Sequence, residues 1–241
     1  MKFGSITTGI VSDGLVLNMD AANRTSYPVQ RTLATAESGS CYNTLDLSQS
    51  GSFISDPQFV TQPTSASCWA FDGIDDEIKF TQYTTGVDFT IAFWAQLPNL
   101  VTGAGYLFNK GSSNNMYYNS NELFYIEATN TTAFIATQPE GSSGGSYIPY
   151  TVFDNNWHYF IMAKPPNVTD GLKFYFDDTG PWDMSGSMAA ASTFSFTDLM
   201  HFPAGSLPYA QGTISNIHIY NRALSASEVL HNYNALKGRF S

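Results

Sequence analysis

The strongest constraint on the fold is a run that is apolar on both of its sides, FTIAFWAQL at positions 89–97. In a pleated strand Phe89, Ile91, Phe93, Ala95 and Leu97 share one face, and Thr90, Ala92, Trp94 and Gln96 share the other. A strand that avoids water on both faces belongs in the middle of a sheet and must be covered twice. Whatever this chain forms, it needs a layer on each side of that sheet.

Further runs with strand character fall at 14–20, 68–73, 77–82, 105–110, 122–128, 132–138, 157–164, 172–178 and 213–220. They are short and separated by stretches rich in Ser, Asn, Gly and Pro, a rhythm of sandwiches and barrels and not of alternating strands and helices. The intervals 111–121, 139–147 and 179–192 read as surface loops. With 15% aromatic and 12% charged residues in a chain of 241, the composition favours an ordered, β-rich protein. No fixed-period repeat and no linker-like composition divides it, so residues 14–241 are read as one domain behind a short arm, residues 1–13.

Towards the end the grammar changes. In GTISNIHIY (212–220) the step of three from Ile214 to Ile217 breaks the strand period and predicts a bulge near Asn216. Ser225 and Glu228 then stand as a capping box, with Leu224 and Val229 placed as a hydrophobic staple. Val229, Leu230, Tyr233 and Leu236 form one apolar stripe, and Gly238 is the expected left-handed stop.

Ten basic against twenty acidic residues leave a net charge of −10 and no Lys/Arg cluster to neutralise a phosphate backbone, which argues against nucleic acid as a partner. No run approaches the length of a membrane span, and MKFGSITTGIVSDG lacks the unbroken apolar stretch of a secretory signal. The expectation is a soluble protein, without membrane insertion, made in a cytoplasm. For Cys41 and Cys68 a bridge is geometrically open, but a reducing compartment favours free thiols.

The ending Gly212, Ile214, Ile217, Ile219, Tyr220-Asn221-Arg222-Ala223-Leu224-Ser225 and Glu228 resembles that of laminin-G-like, concanavalin A-like jelly rolls, in particular the versions found in bacteriophage virion proteins. Similar pieces are Gly14-Leu15-Val16-Leu17, Asp20-Ala21-Ala22-Asn23, Asp46-Leu47-Ser48, Phe71-Asp72-Gly73-Ile74-Asp75-Asp76, Phe89-Thr90-Ile91 with Trp94, and Trp157-His158. The chain departs from the pattern at Gln49-Ser50-Gly51-Ser52 and at the hairpin FYFDDTG (174–180). The resemblance implies an all-β, concanavalin A-like jelly-roll sandwich of two antiparallel sheets with one short C-terminal helix. It also implies a non-enzymatic component of the virion surface, such as a capsid decoration protein made in the host cytoplasm. Its partners would be other virion proteins, the major capsid protein among them, and a homo-oligomer is open. The alternative is a carbohydrate-binding adhesin for host surface polysaccharide, of tail-fibre or head-fibre type, with a polysaccharide hydrolase more remote.

The residues themselves offer little chemistry. Cleaving a sugar bond needs two carboxylates about 5–10 Å apart, and the nearest pair, Glu122 and Glu127, falls on opposite strand faces. GSSGG at 141–145 has the form of a nucleophile elbow, but Pro139 precedes it and SYIPY follows where a strand and a helix are needed. His158, His201, His218 and His231 lack the spacing of a zinc site, and no catalytic residue is assigned. Asp72, Asp75 and Asp76 could offer oxygen ligands to calcium, the one cofactor left open, although Asp-Gly is equally a turn signal. Tyr117, Tyr118 and Trp182 could stack on a pyranose, whereas Trp94 and Trp157 lie in strand runs and are expected in the core.

Overall fold

The computed structural model describes residues 9–28, 39–61, 66–99, 105–110, 114–119, 123–128, 131–136, 152–166, 171–186, 189–201 and 209–240. Two antiparallel sheets enclose one aromatic-rich core. Numbered along the chain, the first sheet runs β14 (Thr179–Asp183), β13 (Lys173–Phe176), β12 (Trp157–Lys164), β7 (Phe89–Gln96), β17 (Gln211–Tyr220), β5 (Ser67–Asp72) and β4 (Gln58–Thr61). A further strand, β1 (Leu15–Asp20), also pairs with β17. The second sheet runs β15 (Ser185–Gly186), β11 (Thr131–Ala136), β10 (Leu123–Ala128), β9 (Asn114–Asn119), β8 (Gly105–Asn109), β16 (Ser195–Leu199), β6 (Glu77–Thr84), β3 (Asp46–Ile54) and β2 (Ser40–Asn43). This is the expected two-sheet sandwich. The intervals 111–121 and 179–192, expected as loops, instead contain β9, β14 and β15, because pairing with neighbouring strands overrides a Ser/Asn/Gly-rich composition.

The two-sided run is β7, central between β12 and β17. Its Phe89, Ile91 and Phe93 enter the inter-sheet core, where Phe93 stacks on Phe160 at 5.3 Å. Ala92 and Trp94 point the other way, into a second apolar cluster closed by the helix α1 (Ala226–Leu236). Thr90 pins the entry to that helix, donating to the Arg222 carbonyl and accepting the Leu224 N–H, both at 2.9 Å.

The helix begins as expected. Ser225 Oγ accepts the Glu228 N–H and Glu228 accepts the Ser225 N–H, while Arg222 clamps the same carboxylate through Nη2 and Nη1 at 2.6 and 3.0 Å. That guanidinium, with the capping contacts behind it, pulls the Glu228 carboxyl down to about 2. The apolar stripe differs from expectation, since Leu230 is 43% exposed. Asn232 takes the covered position, accepting the Val11 N–H at 2.7 Å and donating to the Tyr220 hydroxyl at 2.9 Å. Gly238 is not a left-handed stop. The helix tightens into a 3-10 turn, Lys237–Arg239, with Lys237 still right-handed at φ −53°, and this returns Phe240 to the sheet to stack on Trp94 at 4.2 Å.

The bulge falls at Ser215, one residue before the expected Asn216, as the β7 partner steps from Ala95 to Trp94. It is also where β17 exchanges β5 for β1 along one edge, and Ser215 serves both: its carbonyl accepts the Ala21 N–H and its hydroxyl donates to the Ser67 carbonyl. Beside it Arg239 and Asp20 form a buried two-pronged ion pair at 2.8 and 2.9 Å. Residues 9–13, the described part of the expected arm, pack on this covered face: Ile10 and Val11 join the second cluster and the Val11 carbonyl accepts from Tyr220. Cys41 and Cys68 are both buried and are not bridged, and burial pushes Cys41 up to about 12.

Removing one partner of a buried ion pair strands the other, so Asp20→Ala should lower the unfolding free energy in urea by about 3–5 kcal/mol. His218, fully enclosed nearby, gives a pH signature. Burial, aided by Arg239 and opposed by Asp20, drags its imidazole from 6.5 down to about 4. It stays neutral in the fold while the unfolded chain takes up a proton, so stability should fall as pH drops from 6.5 to 4. The slope is at most about 1.4 kcal/mol per unit, and urea titrations across the window should find it flattened in His218→Gln.

Candidate functional site

With the first sheet covered on both faces, the outer face of the second sheet carries the distinctive polar chemistry. The phase of β9 defines that face: Met116 and Tyr118 are 0% and 3% exposed and enter the core, so Asn115 and Tyr117 point outward. Cross-strand register then builds two rows. One joins Lys79, Asp198, Asn109, Asn115, Glu127 and Thr132 across β6, β16, β8, β9, β10 and β11. The other joins Tyr106, Tyr117, Tyr125 and Phe134, with Tyr209 bridging to Tyr106 at the near end.

The polar row is buried. Asn109, Asn115 and Asp198 are 0%, 2% and 5% exposed, and Asn109 donates its amide N–H to Asn115. The aromatic flank is more accessible: Tyr117 is half-buried and stacks on Tyr106 at 4.9 Å, and half-buried Tyr209 stacks on His201 at 4.4 Å. Ring faces beside fixed amide and carboxylate groups are the components of a pocket for a polyhydroxylated ligand.

Of the three aromatic candidates only Tyr117 belongs to this face. Tyr118 is a core residue: its ring packs against Phe153 at 5.1 Å, its hydroxyl donates to the Gln211 carbonyl, and burial pushes the phenol up to about 12. Gly105 is required opposite it, because a Cβ there would collide with the ring. Trp182 lies on β14, an edge strand of the other sheet, and packs its half-buried ring against the core. Trp94 is buried as expected, and Trp157 is half-buried under Phe240.

The acidic turn is accounted for by the backbone. Asp76 accepts the N–H groups of Asp56 and Asp72, one on each oxygen at 3.0 Å, and Asp72 accepts the Ile74 N–H at 2.7 Å. Asp72, Asp75 and Asp76 do bring carboxylate oxygens within 4.8 Å of one another, so calcium would have to share oxygens already engaged by the turn. His158 is likewise structural, held between Asp177 at 2.8 Å and Asp154 at 3.1 Å. Burial lowers its basicity, but the two carboxylates outweigh this and its pKa is raised. Of the motifs set aside, 141–145 and Glu122 lie outside the described residues.

A cluster not foreseen from sequence adjoins the turn. Glu77 and Lys79 share a face of β6, Asp198 is cross-strand from Lys79, and His201 follows β16. A separation of three would put Asp198 and His201 on opposite faces of a regular strand. Met200 between them is left-handed at φ 66° and held by the Leu107 carbonyl, and this kink turns the imidazole back onto Glu77. Glu77 and Asp198 lie as close as the carboxylates of a retaining glycosidase, about 5 Å, but they are 6% and 5% exposed, which denies them the flanking access to a scissile bond.

The fold and this face define a lectin-like β-sandwich. The family described as the concanavalin A-like lectin/glucanases superfamily, of laminin G type, matches residues 72–230, and the chain belongs to it. Among solved structures it is similar to the binding domain of Paraclostridial Mosquitocidal Protein 1, at 15% identity and TM-score 0.60, over 92% of this chain and 52% of that one. Trypanosoma rangeli sialidase aligns at 13% identity and TM-score 0.55, over 93% of this chain and 33% of the other. A structure of botulinum neurotoxin type C, whose cell entry depends on interaction with two ganglioside molecules, aligns at 13% identity and TM-score 0.55, over 92% and 51%. This chain thus spans a third to a half of these solved chains. No curated protein sequence matches it.

Core and face are separable by stability. Tyr118→Ala should cost about 3–5 kcal/mol in urea unfolding, the range for a buried aromatic, and Tyr117→Ala less than half of that.

Proposed function

We propose that this chain is a non-catalytic glycan-binding domain that engages polysaccharide through the outer face of its second sheet. The observation that carries the proposal is the pair of registered rows: a buried polar row containing Asp198, Asn109 and Asn115 beside the rings of Tyr106, Tyr117 and Tyr209. The half-buried rings of Tyr117 and Tyr209 would take the apolar face of a pyranose, and the buried amides and carboxylate behind them would hold that face in place. The ganglioside dependence stated for botulinum neurotoxin type C, on a similar fold, supports this ligand class.

The setting expected from the resemblance, a surface component of a phage particle, belongs to the same proposal. A sandwich that binds host surface polysaccharide would serve such a particle as an adhesin, and one whose first sheet is anchored would serve as decoration. If the segment before the domain attaches it, removing residues 1–8, which leaves the Val11 contacts intact, should abolish incorporation into particles while Tm stays unchanged.

An array of bacterial surface glycans probed with the purified chain tests the binding. Tyr117→Ala should weaken the strongest interaction about tenfold, equivalent to about 1.4 kcal/mol, while Trp182→Ala should act on stability alone. Absence of binding to any glycan, with or without calcium, would refute the ligand class.

A further inference from the structure

Glu77 and Asp198 are carboxylates on neighbouring strands, 6% and 5% exposed, with the His201 imidazole closing the third side. One ligand atom from each lies within 4.8 Å of the other two. Oε2 of Glu77 and Nδ1 of His201 are both buried and in direct contact as an ion pair, and neither makes a hydrogen bond to any further group. Among the described residues the Lys and Arg ion pairs are those of Lys173, Arg222 and Arg239, and none reaches this cluster. Lys79, cross-strand from Asp198, is exposed. Two carboxylates brought this close in a recess are strongly unfavourable without a compensating positive charge.

We propose that Glu77, Asp198 and His201 form a binding site for a divalent transition-metal ion of the zinc class. Donor atoms about 2 Å from one ion lie about 3–4 Å apart, so small side-chain rotations would have to part the Glu77–His201 contact and draw Asp198 in. Carboxylates alone would suit calcium or magnesium, whereas an imidazole nitrogen selects zinc and its neighbours. Outer contacts hold two of the ligands: Thr197 Oγ1 donates to Asp198 Oδ2 at 2.7 Å, and Tyr209 stacks on the His201 ring. Three protein ligands leave a four-coordinate ion one position for water. The site shares Asp198 and Tyr209 with the proposed glycan face but is tested separately from it, because metal occupancy is measured without any sugar.

The test uses the full chain, stripped with EDTA and titrated calorimetrically with ZnCl2, with CaCl2 and MgCl2 as comparison ions. The expected result is one saturable zinc per chain and a raised Tm, with the alkaline-earth ions giving neither. Glu77→Gln and His201→Ala should each weaken zinc binding by more than the roughly 10–100-fold typical of losing an outer contact. His201 is only half-buried, so His201→Ala is the variant expected to keep its circular dichroism spectrum unchanged. Asp72→Asn, in the neighbouring turn, should leave the titration as it is. No saturable zinc binding, or binding undiminished in both ligand variants, would overturn the proposal. So would a Tm indifferent to zinc.

Discussion

Everything in this structure follows from burying β7 on both of its faces. The inner face is satisfied by the sandwich itself, through Phe89, Ile91 and Phe93. The outer face has Trp94 at its centre, and a second sheet cannot cover it because the second sheet is already committed. The chain solves this with its own ends: Tyr233 and Phe240 stack on Trp94 at 5.6 and 4.2 Å, and Ile10 and Val11 pack into the same cluster. Burial of apolar area makes this layer favourable, but polar contacts give it a single arrangement. Thr90 fixes the helix entry, Asn232 ties the helix to Val11 and Tyr220, and Arg239 reaches Asp20 beside the Ser215 bulge.

That arrangement leaves the polar and aromatic rows to the opposite side. On the outer face of the second sheet the strands carry Asn, Asp and Tyr where the first sheet carries Ala, Trp and Tyr against a helix. A row of buried amides contributes less stability than an apolar row of equal area.

How much of this can be read from residues alone depends on whether the determinants are local. The 89–97 run, the capping box at Ser225 and Glu228, and the staple of Leu224 and Val229 are legible because each is a pattern within a few positions. The sequence cannot separate the aromatic candidates for lack of phase: adjacent Tyr117 and Tyr118 are equivalent until β9 is known to turn Met116 and Tyr118 inward. Gly238 misleads because Phe240, two residues on, has Trp94 to stack upon, and only a right-handed turn delivers it. The Glu77, Asp198 and His201 cluster is illegible for two reasons. It depends on β6 pairing with β16 across the chain, and on a left-handed backbone at Met200, a residue type that gives no hint of one.

The ion pair between Asp20 and Arg239 joins residues from the two extremes of the described chain on the back of the first sheet. The first and last described residues, Gly9 against Ala235 and Phe240 on Trp94, likewise lie on the side away from the polar and aromatic rows. A body joined to this sandwich through either end would hold it like a panel mounted from behind. Its patterned face would point outward whichever end carried the attachment, and many copies fixed to one support would all present the same side to the surroundings.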